Sequence, residues 1–214
     1  MKIQDKQIFL LTGDSVTDCG RAYPVGEGSG NLGDGYVRDV HALLDSGYPE
    51  KQIRVLNTGI SGNTSTDLRG RFQQDVLEHQ PDWISIMIGI NDIWRQFDRP
   101  LHPKEHVLLQ EYADNLEWMT KKAMEKAAGV CLVSPCYMEQ IKEDGMRKMT
   151  DDYNGTLREI AQKCGALYID AQAEMDRYFR VYPPVSMSWD RVHPNHVGHM
   201  LIAKAIVRAL DYEF

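Results

Sequence analysis

Long apolar runs are missing from this 214-residue chain, and the N-terminal stretch MKIQDKQIFLLTGD carries too few successive apolar residues for a secretory signal or a membrane span. A cytoplasmic protein with no membrane partner is expected. Basic residues are also scarce: Lys plus Arg number 24 against 31 Asp plus Glu, a formal net charge of −7, which argues against binding nucleic acid or anionic lipid. Neutral or weakly charged small molecules suit that balance better. Cys19, Cys131, Cys136 and Cys164 form no CxxC pair and no cluster with histidine, so free thiols are expected, and neither metal nor cofactor. No P-loop GxxxxGK[ST] occurs. Gly26-Glu27-Gly28-Ser29-Gly30 neither follows a strand directly nor matches GxGxxG, which removes the usual phosphate cradles. Repeats, low-complexity tracts and linkers are absent as well, so residues 1–214 read as one domain.

What is present begins with Ile8 to Leu11, a buried-looking strand that runs into Thr12-Gly13-Asp14-Ser15. Further strands are read at Ile53–Asn57, Trp83–Ile90, Val130–Ser134 and Ala166–Ile169. Between them lie helix-period patterns: Tyr36, Val37, Val40, Leu43 and Leu44; Leu68, Phe72 and Val76; Leu108, Tyr112, Leu116, Met119 and Ala123; and the segment Met149–Cys164. Pro194 is expected to open a last helix, and Trp94–His106 reads as a loop. Five strands alternating with helices predict an α/β domain with a parallel sheet and right-handed crossovers.

Three of these strands end in small polar clusters, Gly13-Asp14-Ser15, Asn57-Thr58-Gly59 and Gly89-Ile90-Asn91-Asp92, and a parallel sheet brings its carboxyl ends to one edge. Acyl transfer needs a hydroxyl nucleophile and donors aimed at a developing oxyanion. Ser15 supplies the hydroxyl, and the amides of Ser15 and Gly59 with the Asn91 side chain are the expected donors. A serine hydroxyl also needs a base held by an acid. Trp189-Asp190-Arg191-Val192-His193-Pro194 carries both, three residues apart, without the further ligands a metal site would require.

Together these blocks resemble the SGNH hydrolases, also called GDSL lipases and esterases, in the family's order and from residue 8 to 194. The resemblance implies Ser15, Asp190 and His193 as the catalytic triad, and Ser15, Gly59 and Asn91 as the oxyanion hole. It also implies a flavodoxin-like three-layer α/β/α sandwich with five parallel strands in the order 2-1-3-4-5. GDSVTDCGRA, NTGISGNTSTDL, PDWISIMIGINDIWRQFD and WDRVHPNHVGHM extend the likeness to bacterial carbohydrate acetyl esterases, including intracellular acetyl xylan esterases. A small acetylated saccharide is the implied substrate.

Asp14, Arg21, Trp94, Arg95 and Trp189 are the expected saccharide contacts, with Glu27, Gln96 and Asp98 as further polar candidates. Bulky Ile93, Trp94, Phe97, Met187 and Trp189 are expected to crowd Ser15 and favour acetyl over longer acyl groups. Tyr178, Phe179, Tyr182, Met187, Tyr212 and Phe214 are read as exposed apolar residues of a homo-oligomer. A long-chain esterase, lipase or thioesterase of the same fold is the competing reading. A flavodoxin-like binding module or an aspartyl-phosphate enzyme using Asp14 or Asp18 stands further off.

Overall fold

A computed structural model describes residues 1–28 and 30–214; Ser29 of the glycine-rich run lies outside the described residues. In chain order the elements are β1 (Ile8–Gly13), α1 (Ser15–Asp18), β2 (Gly26–Glu27), α2 (Tyr36–Gly47), β3 (Arg54–Asn57), α3 (Ser65–Asp75) and β4 (Trp83–Met87). They continue as α4 (Ile90–Asp98), α5 (Leu109–Met124), β5 (Gly129–Val133), α6 (Gly145–Cys164), β6 (Leu167–Ile169), α7 (Ala171–Phe179) and α8 (His196–Ala209).

Among the described residues the sheet has six strands in the order β2-β3-β1-β4-β5-β6, which corrects the expected five strands ordered 2-1-3-4-5. The addition is β2, two residues antiparallel to β3, with Gly26 opposite Asn57 and Glu27 opposite Leu56. It is too short to leave a hydrophobic pattern in the sequence. All other pairings are parallel.

Alternation along the strands explains the layers, because successive side chains of a strand point to opposite faces. Phe9 and Leu11 pack with Val37, Val40, Ile202 and Ile206 from α2 and α8. Leu10 turns the other way, onto a core that includes Phe72 of α3, Leu116 of α5 and Leu157 of α6. Both strand faces are therefore covered, which is why the central strands read as unbroken apolar runs.

Among the described residues α1, α4 and α7 go beyond the helices that the sequence predicts. The apolar run ends as strand at Met87, and Ile90 and Ile93 are buried on one side of α4, where a strand end followed by a loop had been read. Immediately after β6, α7 starts, capped by the Asp170 side chain on the Ala173 amide. Its buried Phe179, together with buried Met187, leaves the expected oligomer surface, since both side chains belong to this chain's own core. Tyr182 and Phe214 are exposed. Helix α8 starts at His196 rather than at Pro194, because Asn195 accepts from the amides of Val197 and Gly198 and so acts as the cap. Among the described residues no helix is long and apolar enough to cross a membrane.

Candidate active site

The carboxyl ends of β1, β3 and β4 deliver Ser15, the 57–63 turn and Asn91, and the loop before α8 arrives from the other end of the chain. Ser15 is the first residue of α1, and Asp14 caps that helix by accepting from the Val16 amide at 3.0 Å. The Ser15 hydroxyl lies 2.8 Å from His193 Nε2. On the far side of the ring, Nδ1 lies 2.6 Å from Asp190 Oδ2.

Proton positions follow from the acid. Burial pulls the Asp190 carboxyl upward, but bonds from the His193 ring, the His193 and Val192 amides and the Ser188 hydroxyl prevail and hold it at about 2. An ionised carboxylate can only accept, so His193 carries its hydrogen on Nδ1 and offers the Nε2 lone pair to the serine hydroxyl. Trp94 stands edge-on to the imidazole, with ring centroids 5.9 Å apart.

Asn91 is buried at the start of α4. Its Nδ2 donates to Asn63 O at 3.0 Å, and its Oδ1 accepts from Arg95 Nη2 at 3.2 Å. An amide nitrogen has two hydrogens, so one N–H of Asn91 remains for another acceptor. The Ser15 N–H, first in its helix, has no acceptor within the helix.

Gly59 departs from its expected role. Its N–H donates to Asn57 Oδ1 at 2.9 Å, and a Cβ there would lie 2.5 Å from the Asp18 amide nitrogen, so glycine is required by close packing on α1. Asn57 is fully buried and also donates to Thr17 O and Leu32 O. Gly62 was missed from the sequence. It occupies the third position of a tight turn closed by Asn63 N to Ile60 O at 3.2 Å, with φ +84°, and among the described residues its N–H has no acceptor. The Asn63 carbonyl that receives Asn91 belongs to this turn, which sets the Gly62 peptide beside the Asn91 amide.

Asp14 and Arg21 are corrections of a second kind, because neither is placed to touch a saccharide: they are 2% and 4% exposed. Arg21 donates to Gly59 O at 2.7 Å and to Ala22 O and Pro24 O, bracing the turn from beneath. Asp18 does the same from α1, accepting from the Ser61 amide and hydroxyl and from Tyr23. Asp14 is pushed up to about 7 by burial, which the Val16 amide and the neighbouring His193 ring only partly oppose. Burial likewise holds Asp92 at about 7, where it accepts from the amide and hydroxyl of Ser65 and ties α4 to the start of α3. Ile93 and Met187 are buried in the two cores rather than exposed in loops. Gln96 is engaged by Asp92 O and Tyr153 Oη, and Glu27 pairs with Arg54. Trp94 and Arg95 are partly exposed, with the guanidinium over the indole at 4.9 Å, and Trp189 is 88% exposed.

A family model described as the GDSL-like Lipase/Acylhydrolase family matches residues 11–201. The chain is 45% identical over 215 residues to an acetylxylan esterase of Geobacillus stearothermophilus, covering 100% of this chain and 98% of that protein. A crystal structure of Axe2, an acetylxylan esterase from Geobacillus stearothermophilus, superposes with a TM-score of 0.98 at 45% identity, over 100% of this chain and 98% of that one. Catalytic mutants of Axe2 with a histidine, a serine or an aspartate replaced by alanine give the same TM-score of 0.98. LAE5, an alpha/beta hydrolase enzyme from the metagenome of Lake Arreo, Spain, matches with a TM-score of 0.96 at 40% identity, over 99% of this chain and 98% of that one.

Proposed function

We propose, on the premise that this chain belongs to the GDSL-like lipase/acylhydrolase family, that it removes O-acetyl groups from carbohydrates, xylo-oligosaccharides above all, through an acyl-enzyme intermediate. The chain is a carboxylic ester hydrolase of the acetylxylan esterase type. The observation that carries the mechanism is the unbroken line from Ser15 Oγ through His193 to Asp190, at 2.8 and 2.6 Å.

In this reading Ser15 Oγ attacks the acetyl carbonyl as its proton passes to His193 Nε2. The new Oγ–C bond makes a tetrahedral intermediate whose oxyanion is met by the Ser15 and Gly62 amides and the free N–H of Asn91. Asp190, ionised and fixed by four donors, favours the imidazolium that forms. Collapse breaks the C–O bond to the sugar, and Nε2 returns its proton to the departing sugar oxygen. Water then attacks the acetyl-serine with His193 as base, releasing acetate and restoring the hydroxyl.

Trp94, Arg95 and Trp189 are the saccharide contacts, supported by the place of Trp94 against His193, the bond of Arg95 to Asn91 and the exposure of Trp189 next to Asp190 in the chain. Residues 1–214 act as one domain in the cytoplasm and assemble as a homo-oligomer through exposed apolar side chains such as Tyr182 and Phe214. Release of acetate from an acetylated xylo-oligosaccharide, beside rates on p-nitrophenyl acetate, butyrate and octanoate, tests the reading. Acetate release and a preference for the acetyl ester are expected. An inert saccharide with octanoate as best substrate would replace this reading by a long-chain esterase.

A further inference from the structure

Between the acid and the base of the catalytic loop sits Arg191, a bulky residue at φ +64°, in the left-handed region that such residues rarely occupy. Backbone of this kind persists only where its surroundings fix it. Here they do so from one side. The Arg191 carbonyl accepts from the Met138 amide at 2.8 Å, and its Nη1 lies 3.0 Å from Glu139 Oε2, 3.9 Å from Asp144 Oδ2 and 3.4 Å from Tyr137 Oη. Glu139 is itself anchored: its Oε1 accepts from the Ile141 amide at 2.9 Å, and its carbonyl accepts from Arg147 Nη1 at 2.6 Å. Arg147 is fully buried and forks onto Asp176 of α7 with two bonds of 2.7 Å. A continuous set of polar contacts thus runs from the packed helices α6 and α7 to the residue that separates Asp190 from His193.

We propose that Arg191 is a positioning residue for the esterase reaction, holding the Asp190–His193 loop in register with Ser15 by its grip on Glu139. The inference rests on the function proposed above. The guanidinium is about half exposed, so its ion pair adds little stability by itself. Its consequence lies in geometry, where a shift of a reacting group by about 1 Å costs on the order of 100-fold in rate.

Arg191→Ala, Arg191→Gly, Arg191→Lys, Glu139→Gln and the Ala–Gln double variant are compared in the full chain, on p-nitrophenyl acetate and on an acetylated xylotriose. Arg191→Ala and Glu139→Gln are expected to lower kcat by on the order of 10- to 100-fold on both esters, with KM changed less than about twofold. The double variant should be no worse than the singles, because both remove one contact. Lysine should recover most of the rate. Glycine should not, since it relaxes the backbone but lacks the grip. Full activity of Arg191→Ala or Glu139→Gln overturns the proposal, as does full activity of Arg191→Gly. A rise in KM confined to the saccharide also overturns it and makes Arg191 a substrate contact. If Arg191→Ala does not fold, Glu139→Gln, which leaves the strained residue in place, decides. A wild type that turns over p-nitrophenyl acetate but not the saccharide fails the substrate reading alone, and the variants are still compared on the small ester.

Discussion

Asn57 takes the amide proton of Gly59 on Oδ1 at 2.9 Å while its Nδ2 serves the carbonyls of Thr17 and Leu32, so one buried side chain joins β3, α1 and the glycine-rich loop. Asn57→Ala removes all three bonds and leaves their backbone partners enclosed. An unpaired buried polar group costs about 1 to 3 kcal/mol, so a loss of at least about 2 kcal/mol, or roughly 4 to 8 °C in Tm, is expected. A calorimetric Tm within 1 °C of wild type, a bound on the order of the smallest meaningful change, would remove Asn57 from this role.

Asn91→Ala should leave the fold in place and lower kcat on p-nitrophenyl acetate by on the order of 10² to 10³, the usual effect of losing one oxyanion donor. KM should change little, because the bond strengthens only as negative charge develops. A rise in KM with kcat intact would make Asn91 a ground-state contact instead.

The general plan of the site was legible in the sequence because strand ends are marked by abrupt changes of composition. Ser15 and Asn91 follow such changes, whereas Asp190 and His193 lie far from any strand and were marked instead by an acid and a base three residues apart before Pro194. Which glycine amide stays free was not legible, since Gly59 and Gly62 share the same short segment and differ only in what Asn57 and Asn63 do in three dimensions. Arg21 misled for a related reason: a cation in a loop near the site reads as a ligand contact, yet three carbonyls draw it inward. Ile90 and Ile93 read as strand and loop because a buried helix turn and a buried strand end look alike over four residues.

Asp14→Asn should change the pH dependence of stability in a defined direction. The Asp14 carboxyl has an ordinary value of 3.8 and is raised to about 7 in the fold, so between these limits the folded chain holds the extra proton. Its contribution is complete below 3.8 and is lost as pH rises through 7. Asparagine keeps the bond to the Val16 amide without titrating. Relative to wild type the variant should therefore gain stability from pH 4 to pH 8, by about 4 kcal/mol. His199, held at about 4 by burial, titrates in both proteins and cancels, while Asp92, raised mainly by its own burial, loses in the variant only the smaller push from the Asp14 charge, which acts in the same direction. A gap in Tm that stays flat or narrows with rising pH would contradict the assignment.

Arg147→Met tests the buried ion set behind the catalytic loop. Removing Arg147 leaves the part-exposed Asp176 and Asp151 with Lys142 as a remaining cation, so the loss is expected below the about 3 to 5 kcal/mol of a fully buried pair, on the order of 2 kcal/mol or roughly 4 to 8 °C in Tm. Burial raises the Asp176 carboxyl, but bonds from Arg147, Lys142 and Gln172 prevail and hold it at about 2. Its stabilising effect is complete above the ordinary 3.8 and is lost as pH falls through about 2. The gap between wild type and variant should accordingly be full at pH 7 and shrink below pH 4, values on the order of these limits. An unchanged gap in acid would mean that packing, rather than charge, carries the difference.

Trp189 and Trp94 should separate by substrate. Trp94 lies against the imidazole at 5.9 Å and is braced by Arg95, so Trp94→Ala should slow p-nitrophenyl acetate as well as acetylated xylotriose by loosening His193, with a further rise in KM for the saccharide alone. Trp189 precedes Asp190 but is 88% exposed and makes no such contact with the ring, so its indole face is open to a sugar. Covering it by a pyranose face is worth about 1 to 2 kcal/mol, which converts to roughly 5- to 30-fold in affinity. Trp189→Ala is therefore expected to raise KM for the saccharide by that factor and leave p-nitrophenyl acetate unchanged. Light scattering on the same variant supplies the control. If the mass falls while KM for the saccharide stays put, the indole belongs to a contact between copies of the chain, and the saccharide must be held by Trp94 and Arg95 instead.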